Sequence, residues 1–242
     1  MSIPAIVLAA GEGTRLRPLT LDRPKPMVAL GDRPALEWLL RWLRHYGVRD
    51  VFINLHYRPE VIRRYFGDGS ALGLRISYNE EQEILGTAGG AAQFRDRLQG
   101  DVLVCYGDVL SDLDLDALLT RHRERRAVAT LALYRVPDPW TRGVVDLAPD
   151  GRVLGFREKP PRDACPPSTP VNAGIYALDS QVLDAVPTDR PSDFGRDLFP
   201  ALLAAGAPVY GWESGAYVLD FGTLEQHRQA DADVRAGRVR LF

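Results

Sequence analysis

Residues 3–26 read IPAIVLAAGEGTRLRPLTLDRPKP, an apolar run followed by a glycine-rich, basic segment. The apolar run predicts a buried strand. Gly11 and Gly13 allow the backbone after it to turn sharply and to approach a bulky ligand, and successive N–H groups in such a loop bind anions. Arg15 adds a forked cation that suits phosphate oxygens, and Lys25 adds a point charge between two prolines. The segment therefore predicts a binding site for a triphosphate.

Two well-known glycine-rich loops do not fit this segment. A P-loop would need Gly-Lys-Ser or Gly-Lys-Thr at a fixed spacing, which the segment lacks. A dinucleotide fingerprint would need a third glycine where Leu16 stands. The two glycines alone would favour an incidental turn between a strand and a loop. The neighbouring Arg15, Arg17 and Lys25 favour the phosphate site instead.

The composition favours a soluble enzyme. The chain has 242 residues and a formal net charge of −2, which suits one large α/β domain or two small ones and argues against binding to nucleic acids or membrane surfaces. No apolar run reaches bilayer length, and the first residues lack a secretory signal pattern. The two cysteines, Cys105 and Cys165, cannot form a disulfide framework, so a reduced, cytoplasmic location is expected.

Strands and helices alternate in the first half of the chain. Apolar runs at residues 3–9, 51–55, 74–78 and 102–106 predict strands, and residues 34–46, 59–66 and 87–98 predict helices between them. This alternation predicts an α/β fold with a mostly parallel, doubly wound sheet. Ligands of such sheets bind beyond the carboxyl ends of the strands. The glycine loop and the residues after Tyr78 and Tyr106 are therefore expected to meet at one cleft.

The second half of the chain is richer in strands, which are predicted at residues 128–136, 143–147, 153–157 and 171–178. They are expected to belong to the same sheet rather than to a separately linked domain. Ser192 is expected to cap a helix that ends at Ala205. Residues 209–212 and 216–219 are expected to form a closing hairpin, and Thr223 to cap a final helix.

The run at residues 11–20, together with Pro24-Lys25-Pro26, resembles the signature of the sugar-1-phosphate nucleotidylyltransferases, and looks most like the mannose-1-phosphate guanylyltransferases among them. The resemblance implies one Rossmann-like nucleotide-diphospho-sugar transferase domain over residues 1–242. Its nucleotide-binding half would be residues 1–126, and its β-rich, sugar-phosphate-binding half residues 127–242. The implied nucleotide-binding positions in the first loop are Leu8, Ala10, Gly11, Gly13, Thr14 and Arg15.

Two aspartates are candidate ligands of Mg²⁺. Asp108 and Asp220 each follow an apolar run and lie near a glycine. Two carboxylates combined with phosphate oxygens suit Mg²⁺, which prefers oxygen ligands. Either aspartate alone would more often be a helix or turn cap. However, Gly107-Asp108 and the run LDFGT at residues 219–223 resemble the two metal-binding motifs of the family.

Residues 80–90 resemble the loop with which the family recognises the base. Glu81 matches the position whose side chain meets the base edge, and Gly86 and Thr87 complete the implied contacts, with Thr87 expected to cap the following helix. A carboxylate can accept from both adjacent donors of guanine, whereas a glutamine would suit thymine or uracil. Glu81 therefore favours GTP. Some uridylyltransferases of the family also carry an acid here, so the base stays open.

Three motifs in the second half resemble the sugar-phosphate site of the family. In Glu158-Lys159-Pro160 the carboxylate can accept from two sugar hydroxyls, and Lys159 can hold the sugar phosphate. Asn172, in the run NAG, would meet a hydroxyl, and the backbone of Gly143 would touch the sugar. Without the resemblance, Glu158 and Lys159 would be a surface ion pair of little consequence.

The favoured hypothesis is an enzyme that transfers a nucleotidyl group from an NTP, with GTP first, to mannose 1-phosphate or a related heptose or cyclitol phosphate, with release of pyrophosphate. Arg15, Lys25 and Asp108 would be catalytic, Mg²⁺ the cofactor, and a homo-oligomer is compatible with the family. The first alternative is thymidylyl, uridylyl or adenylyl transfer to glucose 1-phosphate or another sugar 1-phosphate. A non-catalytic nucleotide-sensing subunit ranks lower because the cations and acids are all present, and a dinucleotide-dependent oxidoreductase ranks lower because the third glycine is missing.

Overall fold

The computed structural model describes residues 3–167, 169–240 and 242. The strands are β1 (Ala5–Leu8), β2 (Ala29–Leu30), β3 (Arg33–Pro34), β4 (Asp50–Leu55), β5 (Arg75–Glu80), β6 (Asp101–Tyr106), β7 (Val109–Ser111), β8 (Ala129–Arg135), β9 (Gly143–Leu147), β10 (Val153–Glu158), β11 (Pro170–Asp179), β12 (Val209–Glu213) and β13 (Val218–Asp220). The α-helices are α1 (Ala35–His45), α2 (Pro59–Phe66), α3 (Gly86–Ala92), α4 (Leu115–Glu124), α5 (Phe199–Ala204) and α6 (Leu224–Arg235).

The chain folds into two compact units, each made of separate stretches of sequence. Unit 1 comprises Met1–Ile84, Val104–Leu113 and Tyr217–Phe242, and unit 2 comprises Leu85–Leu103 and Asp114–Ala216. The chain therefore passes between the units at residues 84–85, 103–104, 113–114 and 216–217. The assignment of residues 1–126 and 127–242 to two functional halves stays a prediction.

Unit 1 is built on strands in the spatial order β6, β1, β4, β5, to which β6 contributes its last three residues. Strand β4 pairs in parallel with both β1 and β5. Ile6, Val7 and Ile53 in the middle of this sheet are completely buried, as the continuous apolar runs predict for strands covered on both faces. In register, Val7 lies beside Ile53, which lies beside Tyr78. The strand–helix alternation predicted for this part of the chain is confirmed, with each strand boundary within two residues of its predicted position.

The last segment of unit 1, Tyr217–Phe242, pairs with its middle segment, Val104–Leu113. Strand β13 pairs antiparallel with β7, so that Asp220 lies opposite Val109. Thr223 then begins α6 with a capping box, in which the Thr223 hydroxyl accepts from the N–H of Gln226 and the Gln226 side chain accepts from the N–H of Thr223. The predicted cap is therefore confirmed. Phe221, just before the cap, is completely buried in a cluster with Leu16, Leu30, Ala35, Leu110, Ala230 and Val239.

Unit 2 contains a mixed sheet. Strand β9 pairs antiparallel with β10 and β11, β8 pairs antiparallel with β11, and β12 pairs parallel with β8. The rings of Tyr176, Phe194 and Phe199 pack against one another with centroids 5.0–5.5 Å apart. These aromatic side chains pack the helical segment that starts at Phe194 against β11. This packing stabilises the segment in addition to its own helix propensity.

The predicted closing hairpin is wrong. Residues 209–213 and 218–220 are strands, but β12 pairs with β8 in unit 2 and β13 pairs with β7 in unit 1. The segment between them contains Gly215 with a φ of 71°, a conformation that also occurs in hairpin turns. Closeness in sequence favoured pairing of these two strands with each other, but each pairs with a strand from an earlier part of the chain.

Two helix predictions also need correction. The helix expected at residues 87–98 is α3 (Gly86–Ala92) followed by a short 3₁₀ turn at Arg95–Arg97, and Thr87 lies inside α3 rather than capping it. The helix expected from Ser192 begins after Asp193 with a π-helical turn, Phe194–Leu198, that continues into α5. Ser192 instead uses its backbone oxygen to accept from the N–H groups of Ala88 and Gly89 at 2.9 Å each.

Among the residues that the structure describes, no helix is both long enough and apolar enough to cross a lipid bilayer.

Candidate active site

The glycine loop of unit 1 brings the backbone of Gly13 against Lys25. Gly13 has a φ of 65°, in the left-handed region that glycine tolerates best. A β-carbon at Gly13 would lie 2.8 Å from Cβ of Lys25 and 3.2 Å from Cγ2 of Thr20, whose hydroxyl donates to the Gly13 carbonyl. At Gly11 a β-carbon would meet nothing within 4 Å. Gly13 therefore permits close packing inside the loop, whereas Gly11 faces open space.

Lys25 lies between the two predicted metal ligands. Its ammonium Nζ donates to Oδ2 of Asp108 at 2.5 Å and to Oδ1 of Asp220 at 3.0 Å. The side chain of Lys25 is 10% exposed, against 28% for Asp108 and 25% for Asp220. Burial disfavours the ammonium, but the attraction of the two carboxylates outweighs it, so the pKa of Lys25 lies above its usual value. A nearly buried lysine thus stays charged beside two acids.

The strand pairing explains how acids so far apart in sequence meet. Asp108 directly precedes β7, and Asp220 is the last residue of β13, where it lies opposite Val109. Gly107 holds the start of this turn against β1, because its N–H donates to the Leu8 carbonyl at 2.9 Å. A β-carbon at Gly107 would also lie 2.9 Å from that carbonyl oxygen, so a larger residue would push the turn away.

Arg15 packs against the chain that follows Asp220. A β-carbon at Gly222 would lie 3.3 Å from Nη2 of Arg15 and 3.5 Å from Oδ1 of Asp220. The guanidinium and the carboxylate of Asp220 are thus close to the same glycine. Arg15, Lys25, Asp108 and Asp220 gather within unit 1, where two positive charges and two negative charges balance.

The two aspartates fit a divalent cation. Both carboxylates face the same point, the Lys25 ammonium, and they supply the oxygen ligands that Mg²⁺ prefers. The described residues contain no cluster of three or more His, Cys, Asp or Glu side chains arranged to hold a metal. A site with two carboxylates, completed by phosphate oxygens and water, is the arrangement in which Mg²⁺ is usually bound next to a nucleotide.

Glu81, the predicted base-reading residue, is held firmly at the end of β5. It is 4% exposed, and its Oε1 accepts from Nδ2 of Asn54 at 2.6 Å. Its own N–H donates to the carbonyl of Leu55 at 2.7 Å, and its carbonyl lies 2.8 Å from Nδ1 of His56. Asn54 also accepts from the N–H of Ala9 at 2.8 Å, and so connects Glu81 to the start of the glycine loop.

The remaining predicted nucleotide-binding residues of unit 1 lie along the same loop. Leu8 is the last residue of β1, and Ala10 follows it with 8% of its surface exposed. Thr14 begins a 3₁₀ turn, Thr14–Leu16, which points Leu16 into the buried cluster and leaves Arg15 exposed. The role of Leu8, Ala10 and Thr14 in nucleotide binding stays a prediction.

Gly86 and Thr87 belong to unit 2, where the start of α3 packs against Ser192 and Asp193. Gly86 has a φ of 77°, and a β-carbon on it would lie 2.5 Å from the Ser192 carbonyl oxygen. The hydroxyl of Thr87 donates to Oδ1 of Asp193 at 3.1 Å and accepts from the N–H of Phe194 at 3.0 Å. The first N–H groups of α3 are thus satisfied by a separate segment of unit 2 rather than by the side chain of Thr87.

Three of the predicted sugar-site residues lie level with one another across the sheet of unit 2. Glu158 on β10 pairs with Gly143 on β9, and the pairing of Val171 with Val144 brings Asn172 opposite Gly143. A β-carbon at Gly143 would lie 2.9 Å from Oε2 of Glu158. Gly143 therefore leaves room for this carboxylate.

Gly195 is a functional candidate that the sequence analysis missed. A β-carbon there would lie 3.0 Å from Oε2 of Glu158 and 2.7 Å from Cε1 of Phe156. The Glu158 carboxylate is therefore bordered by two glycines, Gly143 and Gly195. No local motif marks Gly195, because its contact with Glu158 arises only when the π-helical turn packs on β10.

Lys159 and Asn172 are each held by the structure around them. Lys159 has a φ of 47°, a left-handed conformation that costs a non-glycine residue about 1 kcal/mol. Its Nζ lies 3.8 Å from Oε1 of Glu158. Asn172 donates to the Tyr176 hydroxyl at 2.7 Å and accepts from the N–H of Gly174 at 2.9 Å. Both residues are therefore fixed by their backbone or by local hydrogen bonds.

The predicted residues form one group in each unit. Unit 1 holds the glycine loop, Lys25, Glu81, Asp108 and Asp220, and unit 2 holds Gly86, Thr87, Gly143, Glu158, Lys159 and Asn172. Within unit 1 the glycine loop, Glu81 and Asp108 follow the ends of β1, β5 and β6, in agreement with the rule for open parallel sheets. The roles of all these residues in binding and catalysis stay predictions.

A glycine loop with a buried lysine and two acids, at the carboxyl end of a parallel sheet, is typical of proteins that bind nucleoside triphosphates. The chain belongs to the nucleotidyl transferase family, whose model matches residues 4–237. It is 43% identical over 237 residues to a mannose-1-phosphate guanylyltransferase of Mycobacterium tuberculosis, with 97% of this chain and 65% of that protein covered. The family resemblance seen in the sequence is thereby confirmed.

Two further proteins resemble the chain. It is 36% identical over 250 residues to a UTP–glucose-1-phosphate uridylyltransferase of Synechocystis sp., with 98% of this chain and 64% of that protein covered. A Bacillus anthracis protein solved in complex with sucrose superimposes with a TM-score of 0.87 at 23% identity, with 97% of this chain and 96% of that chain covered. The structural likeness confirms the predicted fold class. The chain spans just under two thirds of the length of the two curated relatives.

Proposed function

We propose that this chain transfers a nucleotidyl group from a nucleoside triphosphate to a sugar 1-phosphate and releases pyrophosphate. The observation that carries the proposal is Lys25, a nearly buried cation that lies against the glycine loop and between Asp108 and Asp220. Such an arrangement suits a reaction in which two anions must be brought together. The membership of the nucleotidyl transferase family supports the same reaction class.

In the proposed reaction an oxygen of the sugar phosphate attacks the α-phosphorus of the nucleotide in line. A new P–O bond forms, the bond from the α-phosphorus to the bridging oxygen breaks, and pyrophosphate leaves with that electron pair. No side chain needs to remove a proton, because the attacking phosphate is already ionised. The contribution of the protein is therefore positioning and neutralisation of charge.

The residues of unit 1 are assigned to the triphosphate. The N–H groups of the glycine loop and Arg15 would bind the departing phosphates, and Lys25 would neutralise charge at the α-phosphate. Asp108 and Asp220 would hold a divalent cation such as Mg²⁺, which supplies positive charge to the phosphate oxygens. In unit 2, Glu158 and Asn172 would bind sugar hydroxyls and Lys159 the sugar phosphate.

The favoured nucleotide is GTP and the favoured acceptor is mannose 1-phosphate or a related heptose or cyclitol phosphate. Glu81 supports guanine because a carboxylate accepts hydrogen bonds and that base offers two adjacent donors, N1–H and NH₂. The 43% identity to a mannose-1-phosphate guanylyltransferase supports the same choice. Uridylyl transfer to glucose 1-phosphate is the second candidate, and it is favoured by the 36% identity to a uridylyltransferase.

The test is a screen of the purified protein with the four NTPs against a panel of sugar 1-phosphates, with pyrophosphate release as the signal. We expect turnover with at least one pair, and the highest kcat/KM with GTP. Nucleotide binding without turnover on any sugar phosphate would instead support a non-catalytic, nucleotide-sensing subunit. A higher kcat/KM with UTP would select the second candidate.

The Asp108→Ala variant tests the site assignment. Removal of one of the two acids is expected to lower kcat by about 10³-fold or more, with little change in the unfolding midpoint, because Lys25 keeps its contact with Asp220. Asp116→Ala is the matched control, since Asp116 is an exposed acid in the first turn of α4. Undiminished pyrophosphate release by Asp108→Ala would refute the role of this carboxylate.

A further inference from the structure

The start of α3 is held by a separate segment of unit 2. The Ser192 carbonyl accepts from the N–H groups of Ala88 and Gly89 at 2.9 Å each. Oδ1 of Asp193 accepts from both the N–H and the hydroxyl of Thr87, at 3.1 Å each. Three of the first four N–H groups of α3 thus donate to this segment, and a helix cannot satisfy these groups itself. The segment therefore determines where the start of α3 lies.

The next two residues of the same segment pack beside a predicted sugar-binding residue. Phe194 is completely buried, and its ring centroid lies 5.2 Å from that of Tyr176 and 5.5 Å from that of Phe199. The backbone of Gly195 comes so close to Glu158 that a β-carbon on the glycine would lie 3.0 Å from Oε2. The segment that holds α3 therefore also borders the Glu158 carboxylate.

Asp193 connects the two ends of this segment. Its side chain holds Thr87, and its backbone begins the π-helical turn that contains Gly195. Its carbonyl accepts from the N–H groups of Asp197 at 3.0 Å and Leu198 at 3.1 Å, and its own N–H donates to Oδ2 of Asp197 at 2.7 Å. Turns with this wide hydrogen-bond spacing occur frequently at functional sites. A shift of Thr87 therefore moves the residue from which the turn of Gly195 starts.

We propose that residues 192–195 couple nucleotide binding to sugar-phosphate binding, with Asp193 as the positioning residue. This proposal rests on the proposed function, in which Thr87 contacts the nucleotide and Glu158 binds the sugar. A nucleotide that fixes Thr87 also fixes Asp193 and the turn that follows it, and so limits the positions of the Glu158 carboxylate. The sugar phosphate then meets a side chain that is already in place, and it binds more tightly.

Such coupling is reciprocal, because each ligand must raise the affinity for the other by the same factor. The coupling factor is therefore measured as the ratio of the nucleotide dissociation constants without and with the sugar phosphate. The probes are mannose 1-phosphate and the α,β-methylene analogue of GTP. In this analogue a CH₂ group replaces the oxygen of the bond that the reaction breaks, so that no turnover occurs.

In the wild type, we expect mannose 1-phosphate to lower the Kd of the analogue by at least about fivefold. If the substrate screen selects another nucleotide or sugar 1-phosphate, the corresponding pair replaces these probes. The coupling factor is a ratio, so a variant that weakens nucleotide binding equally in both conditions leaves it unchanged.

The Asp193→Ala variant tests the coupling directly. It loses the acceptor for Thr87, so the coupling factor should fall to within about twofold of one. A purely structural role of Asp193 would lower the unfolding midpoint of this variant and weaken binding of the analogue equally with and without mannose 1-phosphate. That result would overturn the proposal.

The conservative Asp193→Asn variant should keep the coupling factor of the wild type. The N–H of Thr87 can only donate, so the new amide must turn its oxygen towards it. This variant loses only the charge that faces Arg196 at 3.9 Å, and an exposed ion pair of this kind contributes little. Loss of the coupling in Asp193→Asn would show that the charge, and not the contact with Thr87, is responsible.

Asp197→Ala keeps the proposal testable if Asp193→Ala does not fold. It removes the acceptor for the N–H of Asp193 and leaves the contact of Asp193 with Thr87 in place. We expect the coupling factor to fall by at least about twofold, and an unchanged factor would contradict the proposal. Asp189→Ala is the matched control, because Asp189 is an exposed acid shortly before Asp193. Its coupling factor and unfolding midpoint should equal those of the wild type.

The coupling and the proposed function can fail separately. A wild type that turns over sugar phosphate, but whose Kd for the analogue does not change when mannose 1-phosphate is added, refutes the coupling alone. A wild type that shows the expected coupling factor but releases no pyrophosphate with any NTP refutes the proposed function alone. A wild type that binds neither the nucleotide nor a sugar phosphate refutes both.

Discussion

Lys25 is the residue on which the candidate site depends most. Its ammonium is nearly buried, which by itself would favour the neutral amine, yet Asp108 and Asp220 keep its pKa above the usual value. The ring of Phe221 lies beneath it, with Nζ 5.2 Å from the ring centroid. The lysine is therefore fixed in position and charged over the whole physiological pH range.

Gly13 gives a prediction at the residue scale. Gly13→Ala places a β-carbon 2.8 Å from Cβ of Lys25 at a φ of 65°, so the loop must shift. We expect the free energy of unfolding to fall by about 1–2 kcal/mol and kcat/KM to fall by at least tenfold. Chemical denaturation and steady-state kinetics would measure the two effects.

The matched control is Gly11→Ala, where a β-carbon meets nothing within 4 Å. Its free energy of unfolding should stay within about 0.5 kcal/mol of the wild type. Equal losses of stability in the two variants would contradict the argument from packing against Lys25.

At this scale the sequence predicts the residues that lie in contiguous motifs. Gly13, Lys25 and Asp108 could be selected from the sequence because a glycine loop after a strand and an acid at a strand end have local signals, and their roles stay predictions. Asn54 and Gly195 have no such signal. The partners of Asn54 directly follow β1 and β5, and Gly195 meets Glu158 of β10, so both contacts can be identified only after these segments have packed.

The pairing of two short strands, β7 and β13, determines where the candidate metal ligands lie. Each has only three residues, which are buried in β7 and half-buried in β13, yet their pairing places Asp220 opposite Val109 and thus beside Asp108. The sequence predicts that residues 216–219 form a strand, but assigns the wrong partner. The correct partner, β7, is itself too short to be recognised from periodicity.

Helix α4 gives a prediction at the scale of elements. His122 is 2% exposed within a run of exposed arginines, and its Nδ1 lies 3.0 Å from the Thr130 hydroxyl on β8. Burial lowers the pKa of His122, and the attraction of Asp101, 3.5 Å from Nε2, opposes this only in part. Because the folded-state pKa lies below the unfolded one, the neutral imidazole stabilises the fold above pH 6.5 and this contribution is lost as the pH falls.

We therefore expect His122→Gln to be less stable than the wild type by about 1 kcal/mol at pH 8, with a gap that narrows as the pH falls from 7 towards 5. The measurement is the free energy of unfolding of both proteins across this pH range. Only the difference between them is diagnostic, since other groups titrate in both. A gap that widens on acidification would show that His122 is protonated in the folded protein.

The division of the chain into units gives a prediction at the scale of the molecule. Unit 1 takes β13 and α6 from the last segment of the chain, Tyr217–Phe242, and these supply Phe221, Ala230 and Val239 to its buried cluster. Loss of a large buried side chain costs about 2–5 kcal/mol, which is comparable to the whole stability of a typical domain. A fragment that ends at Ala216 should therefore fail to fold unit 1.

Near-ultraviolet circular dichroism and limited proteolysis, with the full chain as the reference, would test this. We expect rapid cleavage within residues 3–84 of the fragment and loss of the near-ultraviolet signal of Trp38 and Trp42, which lie in α1. A fragment that keeps a sharp unfolding transition and resists cleavage in that range would contradict the assignment of α6 to the core of unit 1.

The fold class could be predicted from the sequence because the alternation of strands and helices is a pattern of long stretches of chain rather than of single positions. The boundaries of the two units could not be predicted from the sequence, because the chain crosses between the units at four places that carry no change in composition. Residues 104–113, for example, return to unit 1 through a continuous apolar strand, β6.

The ion pairs of Lys25 span very different lengths of chain, 83 residues to Asp108 and 195 residues to Asp220. During synthesis on the ribosome, the lysine and its first acid emerge long before the second. Until Asp220 has been synthesised, a growing chain can form only one of the two ion pairs of Lys25.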